Sequence, residues 1–119
     1  MGNGLTITVQ DDQGFAVVTV AGEIDISTVA HLRERLFGLA VAGSPLIVDL
    51  DQVTFIDSTG LGVLVGADRL AEEHSSSLQA VCTRPATRKL LWLTGIDRRI
   101  PLYASLEDAM ASGSREPLD

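Results

Sequence analysis

The sequence is poor in cysteine, aromatic residues and positive charge. Its 119 residues include a single cysteine, Cys82, so no disulfide can form within the chain. Aromatic residues make up only 4% of the chain, whereas hydrophobic residues make up 45%, so the core must consist mainly of Val, Ile, Leu and Ala. Nine basic residues against 16 acidic ones give a net charge of −7. No basic stripe is available for nucleic-acid phosphates, so we expect protein partners instead.

The sequence also lacks a signal peptide and any apolar run of membrane-spanning length. Together with the lone cysteine, this favours a cytoplasmic location and no membrane partner. Phosphate-binding loops of the form G-x-x-x-x-G-K-[ST] and nucleophile motifs of the form G-x-S-x-G are missing, and His31 and His74 have no companions at metal-ligand spacing. We therefore expect no enzyme activity, no bound metal and no cofactor.

Hydrophobic periodicity predicts a single α/β domain over residues 5–112, followed by a flexible tail over residues 113–119. Alternating and then uniformly apolar residues at its start predict an antiparallel hairpin. A helix capped by Ser27 or Thr28 then leads to a buried strand from Leu46, and this crossover should be parallel and right-handed. We expect a mixed, mostly parallel sheet of about five strands covered by about four helices.

The second half of the chain continues the alternation of strands and helices. Residues 78–82 read as a short strand that contains Cys82, which we interpret as a buried structural thiol. Pro85 and Gly95 bracket the next helix, because proline is favoured at the first helical position and glycine just past the end. Residues 99–103 are predicted to form the last strand, and Ser105 to begin the last helix.

The most informative stretch is residues 53–62, where an apolar strand end passes into D-S-T-G-L-G and a helix start. A hydroxyl at that position lies near unpaired backbone N–H groups and the positive end of the helix dipole, so a phosphate on Ser58 can be accommodated. The phosphate would add a charge of about −1.5 to −2. The alternative is that Ser58 only caps the helix, since Ser and Asp are both favoured N-cap residues.

Two glycines follow in the first turns of this helix, where each costs up to about 1 kcal/mol relative to alanine. Without side chains, Gly60 and Gly62 allow another backbone to approach closely. That backbone belongs either to a partner or to the protein's own sheet. Gly66, four residues after Gly62, keeps the second interpretation open.

Several segments together resemble the STAS domain, specifically the anti-sigma factor antagonists of bacteria. D-S-T-G-L-G at residues 57–62 resembles the phosphorylated segment of that family, and the strand before it, from residue 46, resembles the strand that leads into the segment. V-A-G-E-I-D at residues 20–25 resembles the family's G-E-[IL]-D strand end, and L-W-L-T-G-I at residues 91–96 resembles a later helix end. The similarity covers about residues 5 to 112, with the motifs in the family's order.

The resemblance implies a phosphorylation-controlled switch. The unphosphorylated form would bind an anti-sigma factor of the GHKL-type serine kinase class and so release a sigma factor for transcription. That kinase would inactivate the protein by phosphorylating Ser58, and a PPM-type serine phosphatase would restore it. The alternative is a STAS interaction module of a larger stress-signalling or transport complex, in which Ser58 is only a helix cap.

The resemblance also identifies the residues expected to bind the partner. They are the phosphoacceptor, its two neighbours, two close-contact glycines and a facing loop: Ser58, Asp57, Thr59, Gly60, Gly62, Glu23 and Asp25. The facing loop leaves an alternative open, because Asp49 or Asp51 could equally supply nearby charge. Asp25 could also simply cap the next helix.

Overall fold

A computed structural model describes residues 4–113 and begins with a hairpin. Strands β1 (Leu5–Asp12) and β2 (Phe15–Ile24) pair antiparallel, as the alternation predicted. Gln13 and Gly14 between them have φ values of 53° and 88°. Two successive positive φ angles are typical of the type I′ turn, whose twist matches that of the strands it joins.

Three helical crossovers follow the hairpin and place each new strand beside the last. The elements are α1 (Val29–Val41), β3 (Leu46–Ile56), α2 (Ser58–Glu73), β4 (Leu78–Val81), α3 (Pro85–Leu93), a 3₁₀ turn (Ile96–Arg98), β5 (Leu102–Tyr103) and α4 (Leu106–Gly113). The sheet order is β1-β2-β3-β4-β5, and all pairs after the first are parallel. Residues 4–113 thus contain five strands and four α-helices, which confirms the predicted fold class.

Apolar side chains fill both sides of the central sheet. The larger cluster joins the sheet to α1, α2 and α3, and the smaller one lies under α4. In β3, Leu46 and Val48 belong to the first cluster while Ile47 belongs to the second. A strand buried on both faces has a continuous apolar sequence, which explains why this strand was evident from the sequence. Across residues 4–113, no helix combines the length and apolarity that crossing a membrane requires.

The predicted last strand over residues 99–103 is wrong in its first half. Arg99 ends the 3₁₀ turn, and only Leu102–Tyr103 pair with β4. Ile100 is buried, but it fills the core from a turn. Ile100 alone fills that part of the core, and no strand is needed there.

The end of the domain also differs from its predicted boundary. Gly113, expected to begin the tail, is the last residue of α4. Asp108 N–H donates to the hydroxyl of Ser105 at 3.1 Å, which confirms the predicted start of this helix. The rest of the predicted tail, residues 114–119, lies outside the described residues.

Candidate functional site

The two segments singled out in the sequence meet at one end of the sheet. Strands β2 and β3 are parallel neighbours, so their carboxyl ends lie side by side, with Glu23 opposite Phe55. The backbone N–H of Asp57 donates to the carbonyl of Ile24 at 3.1 Å and ties the two ends together. The β2–α1 loop and the start of α2 therefore form one surface, which we call the Ser58 surface. It lies at the carboxyl edge of the sheet, where α/β proteins commonly bind their ligands.

Asp57 is the capping residue of α2. Its Oδ1 accepts hydrogen bonds from the N–H groups of Thr59 and Gly60, at 3.0 and 3.2 Å, and from the Thr59 hydroxyl at 2.5 Å. Its backbone is extended, as expected of an N-cap residue. The first free N–H groups of the helix are thus held by Asp57, and Ser58 does not cap α2.

Ser58 is the first residue of α2, and its side chain is exposed. Within residues 4–113 its hydroxyl makes no hydrogen bond, whereas the neighbouring Thr59 hydroxyl donates to Asp57. The two adjacent hydroxyls therefore differ in chemistry. The Ser58 hydroxyl projects from the surface without a partner, and the Thr59 hydroxyl is part of the cap.

Asp25 organises the facing loop. Its Oδ1 accepts from the Ser27 N–H at 2.9 Å, from the Ser27 hydroxyl at 2.7 Å and from the Thr28 N–H at 3.2 Å. Thr28 occupies the N-cap position of α1, but its hydroxyl donates to the carbonyl of Glu23 at 2.8 Å instead of accepting from a helix N–H. The predicted cap by Ser27 or Thr28 is therefore wrong, because the Thr28 hydroxyl is held by the Glu23 carbonyl and the Asp25 N–H and makes no cap hydrogen bond to α1.

The remaining acidic candidates have other partners. Asp51 Oδ1 accepts from the N–H and hydroxyl of Thr83, at 2.6 and 3.0 Å, and so joins β3 to the loop before α3. Asp49 Oδ1 accepts from the Asp51 N–H at 3.0 Å. Both carboxylates thus have partners within the protein, whereas Glu23 is exposed beside the Ser58 surface.

The Ser58 surface carries negative charge. The pKa of Asp57 is lowered mainly by the hydrogen bond from the Thr59 hydroxyl. The nearby Asp25 carboxylate acts in the other direction and raises this pKa. Hydrogen bonds from Ser27 lower the pKa of Asp25. Both carboxylates are therefore ionised at neutral pH. Across residues 4–113, no group of three His, Cys, Asp or Glu side chains is arranged to hold a metal.

We expect acid to weaken the fold partly through Asp57. Because folding lowers the pKa of this carboxyl, its stabilisation is complete above the unfolded value of about 3.9 and is lost as pH falls through the lower folded value. Asp57→Asn keeps a capping side chain that does not titrate. We therefore expect the parent to have a higher free energy of unfolding in urea than this variant at pH 7, and the difference to shrink as the pH is lowered to 3.

Asp11→Asn is the matched control, because it makes the same change of charge at an exposed position of β1. Its stability difference from the parent measures the effect of removing one negative charge away from the cap of α2. A difference between the parent and Asp57→Asn that stays constant with pH would contradict the assignment of the cap.

The two predicted contact glycines differ in their surroundings. A Cβ on Gly60 would lie 2.5 Å from Ile24 Cγ2 and 2.8 Å from Ile56 Cγ1, so this glycine is required by the protein's own packing. Gly62 is exposed, and a Cβ there would meet nothing within 4 Å. A Cβ on Gly66 would lie 3.0 Å from Cζ of Phe37, in the ring that α1 presents to α2. Close packing thus explains Gly60 and Gly66 but leaves Gly62 without an intramolecular role.

Two exposed apolar side chains on this surface were not identified from the sequence. Ile26, in the β2–α1 loop, is 79% exposed, and Phe55, near the end of β3, is 51% exposed. The neighbouring Ile56 is buried, so Phe55 occupies the outward position of the strand. The sequence could have revealed Phe55 only as a large apolar residue on the outward side of β3. Recognising that side requires knowledge of the strand register.

Comparisons with known proteins agree with this fold. The sequence profile of the STAS domain matches residues 6–109. The anti-sigma-F factor antagonist RsfB of Mycobacterium tuberculosis is 36% identical over 110 residues, covering 91% of this chain and 88% of RsfB. The anti-sigma-B factor antagonist of Bacillus subtilis is 33% identical over 103 residues, covering 87% and 94%.

A solved structure of a similar protein has the same fold. The crystal structure of an anti-sigma factor antagonist from Mycobacterium paratuberculosis superposes with a TM-score of 0.86 at 34% identity. The superposition covers 93% of this chain and 95% of that one. The similarity therefore extends over nearly the whole of both chains.

Proposed function

This chain belongs to the STAS domain family, and from that premise we propose that it is an anti-sigma factor antagonist controlled by phosphorylation of Ser58. The unphosphorylated form binds an anti-sigma factor that is also a GHKL-type serine kinase, and the sigma factor is released. The kinase transfers a phosphate from ATP to Ser58 and so ends the interaction. A PPM-type serine phosphatase removes the phosphate and restores binding.

The observation that carries this proposal is the division of roles between Asp57 and Ser58. A kinase needs a hydroxyl that can approach the terminal phosphate of ATP in line and lose its proton. The Ser58 hydroxyl is exposed and makes no hydrogen bond within the described part of the chain, because Asp57 already caps α2. The alternative in which Ser58 serves only as a helix cap loses its physical basis.

The surface around Ser58 fits a partner with an apolar contact surrounded by basic residues. Ile26 and Phe55 supply exposed apolar area, and Glu23 and Asp25 place negative charge beside it. Interfaces commonly combine an apolar centre with complementary charge at the rim, which steers association. Gly62 leaves open space on α2 for the close approach of a partner backbone.

The same surface accounts for release after phosphorylation. A phosphate on Ser58 adds a charge of about −1.5 to −2 next to the Asp25 and Asp57 carboxylates. In the complex this group would face the phosphates of the nucleotide in the kinase, because Ser58 must reach them to react. Repulsion and the cost of desolvating the phosphate both weaken the complex.

Acidic substitution should reproduce part of this effect. Ser58→Glu should keep the fold, since a negative group is tolerated at a helix N-terminus, and should bind the kinase about tenfold more weakly, a loss of about 1.4 kcal/mol. The loss is partial because a carboxylate has less charge and fewer oxygens than a phosphate. Calorimetry with the purified kinase measures it, and far-UV circular dichroism checks the fold.

Ser77→Glu is the control for this substitution. This substitution adds the same negative charge at an exposed residue. The Ser77 carbonyl accepts from the Leu46 N–H, which places Ser77 at the end of the sheet away from Ser58. Its affinity for the kinase should match that of the parent. Equal weakening by both substitutions would mean that total charge, and not charge at Ser58, controls binding.

The partner itself is identified by pull-down from the native cell followed by mass spectrometry. The proposed function predicts an anti-sigma factor with a serine kinase domain among the captured proteins, and its complex with this chain should leave the sigma factor free. Capture of a large assembly with no such kinase would instead favour a STAS module in a stress-signalling or transport complex.

A further inference from the structure

Helix α3 exposes two adjacent large apolar side chains on its outer side. Trp92 and Leu93 are 62% and 63% exposed, whereas Thr87 and Leu91, which face the protein, are buried. The described residues include three other large apolar side chains that are more than half exposed: Ile26, Val41 and Phe55. Tryptophan is enriched where proteins bind one another, so the outer side of α3 is a candidate contact surface.

The positive charge of the chain is concentrated in the same region. Residues 84–99 contain five of the nine basic residues and one of the 16 acidic residues, a net charge of +4, so the rest of the chain carries −11. Lys89 precedes Trp92 by three positions and Leu93 by four, and this spacing places all three on one side of the helix. We call these three residues the α3 face. Arg98 adds positive charge in the 3₁₀ turn that follows.

Two of the five basic residues already have partners within the protein. Arg88 donates to the carbonyl of Cys82 at 2.8 Å, and Arg99 pairs with Asp68 at 2.7 Å. The other three are exposed and pair with no carboxylate in the described part of the chain: Arg84, Lys89 and Arg98. Their charge is therefore available to a partner with acidic side chains.

The Ser58 surface has the complementary character. Ile26 and Phe55 expose apolar area there, and negative charge lies beside them on Glu23, Asp25 and Asp57. An apolar pair with cations can thus meet an apolar pair with carboxylates, the combination of apolar centre and opposite charge that protein interfaces commonly use.

The two surfaces cannot meet within one molecule. Helix α3 begins after the carboxyl end of β4 and leads back to the start of its parallel neighbour β5, so its last turn, with Trp92 and Leu93, points toward the amino edge of the sheet. The Ser58 surface lies at the carboxyl edge. Contact between them therefore requires a second copy of the chain.

We propose that the α3 face of one molecule docks on the Ser58 surface of a second copy. The contact uses a different surface from each molecule, so it is heterologous and leaves one surface of each kind free on the pair. The charge of −11 on the rest of the chain disfavours an anionic membrane as the occupant of the α3 face. Docking covers Ser58 and withholds it from the kinase, a consequence that rests on the proposed function, whereas the contact itself does not.

A fluorescence titration tests the contact, because Trp92 is the only tryptophan of the chain. The parent at low concentration is the reporter. The titrant is Trp92→Glu, which keeps the Ser58 surface but has no tryptophan and a blocked α3 face. Docking should move the emission of the reporter to shorter wavelength in a saturable way, with half-saturation at about 0.1–1 mM, as expected of a small interface. Far-UV circular dichroism checks that the titrant is folded.

One matched pair of additional substitutions in the titrant tests the Ser58 surface. Ile26→Lys and Val41→Lys both place a lysine at an exposed apolar position, but Val41 ends α1, away from the Ser58 surface. The first should weaken docking by at least about fivefold, and the second by less than about twofold.

A second matched pair, in the reporter, tests the α3 face. Lys89→Glu and Arg33→Glu both reverse one exposed cation on a helix, and only Lys89 belongs to the α3 face. The first should weaken docking by at least about threefold, and the second by less than about twofold.

Three results would overturn the proposal: equal effects within either pair, no saturable shift, or a shift that occurs only when anionic lipid vesicles are added. The last result would assign the α3 face to a membrane. No kinase takes part in this measurement, so its failure leaves the proposed function standing. Failure of the kinase to phosphorylate Ser58 would likewise leave the titration unaffected.

Discussion

Incubation with the cognate kinase and Mg-ATP should place one phosphate on this protein, at Ser58 and not at Thr59. Thr59 donates its hydroxyl to Asp57 at 2.5 Å, so its reaction would require breaking the cap of α2, whereas the Ser58 hydroxyl is exposed. The phosphorylated protein should bind the kinase at least about 100-fold more weakly, a change of about 2.7 kcal/mol. Peptide mapping and calorimetry measure the two effects.

Two variants make this prediction decisive. Ser58→Ala should accept no phosphate, should still bind the kinase and should remain bound in the presence of ATP. Thr59→Val, which keeps the shape of the side chain but cannot donate to Asp57, should still be phosphorylated at Ser58. A phosphate on Thr59, or one that persists in Ser58→Ala, would refute the assignment of the acceptor.

Alanine substitutions at Gly60 and Gly62 of α2 should change stability in opposite directions. Gly60→Ala places a methyl group 2.5 Å from Ile24 Cγ2 and should destabilise the protein by about 1–3 kcal/mol through overpacking. Gly62→Ala meets no atom within 4 Å and should stabilise it by about 0.4–1 kcal/mol, because alanine restricts the unfolded chain. Urea unfolding of both variants measures the difference.

A larger side chain at Gly62 tests its role in binding. Gly62→Leu should fold with stability close to that of the parent, because the space around this residue is open, but it should bind the kinase poorly if a partner backbone approaches α2 there. Unchanged stability together with unchanged affinity would remove Gly62 from the binding surface. Loss of stability would show instead that α2 cannot accept the side chain even at an open position.

The parts of the fold that follow from periodicity and turn chemistry were predictable from the sequence. The hairpin, the parallel crossovers and the helix between Pro85 and Gly95 have strong local signals, and the structure confirms them. The membership in the STAS family was also predictable, because several short motifs occur in order along most of the chain. The segments around Glu23 and Ser58 were paired through the family resemblance, and the parallel strands, which bring their carboxyl ends to one edge, supply the physical reason.

Features that depend on side-chain packing could not be predicted. Whether Asp57 or Ser58 caps α2 depends on which of the two has the extended backbone, and both residue types favour that position. The separate roles of Gly60 and Gly62 depend on which side of α2 faces Ile24, and the sequence offered apolar residues on two faces. A cavity lined by Asp68, Glu72 and Gln79 joins residues from separate elements, and no local sequence pattern marks it.

The length of α2 has a further consequence. The helix has 16 residues, so its axis is about 24 Å long at about 1.5 Å per residue. Ser58 begins it, and Glu72 lies in its last turn. Since charges in physiological salt are screened over about 8 Å, a phosphate at Ser58 exerts little direct force on the charged side chains at the other end of the helix. Mutations that change the charge near Glu72 should therefore leave the electrostatics of the phosphorylation site unaltered.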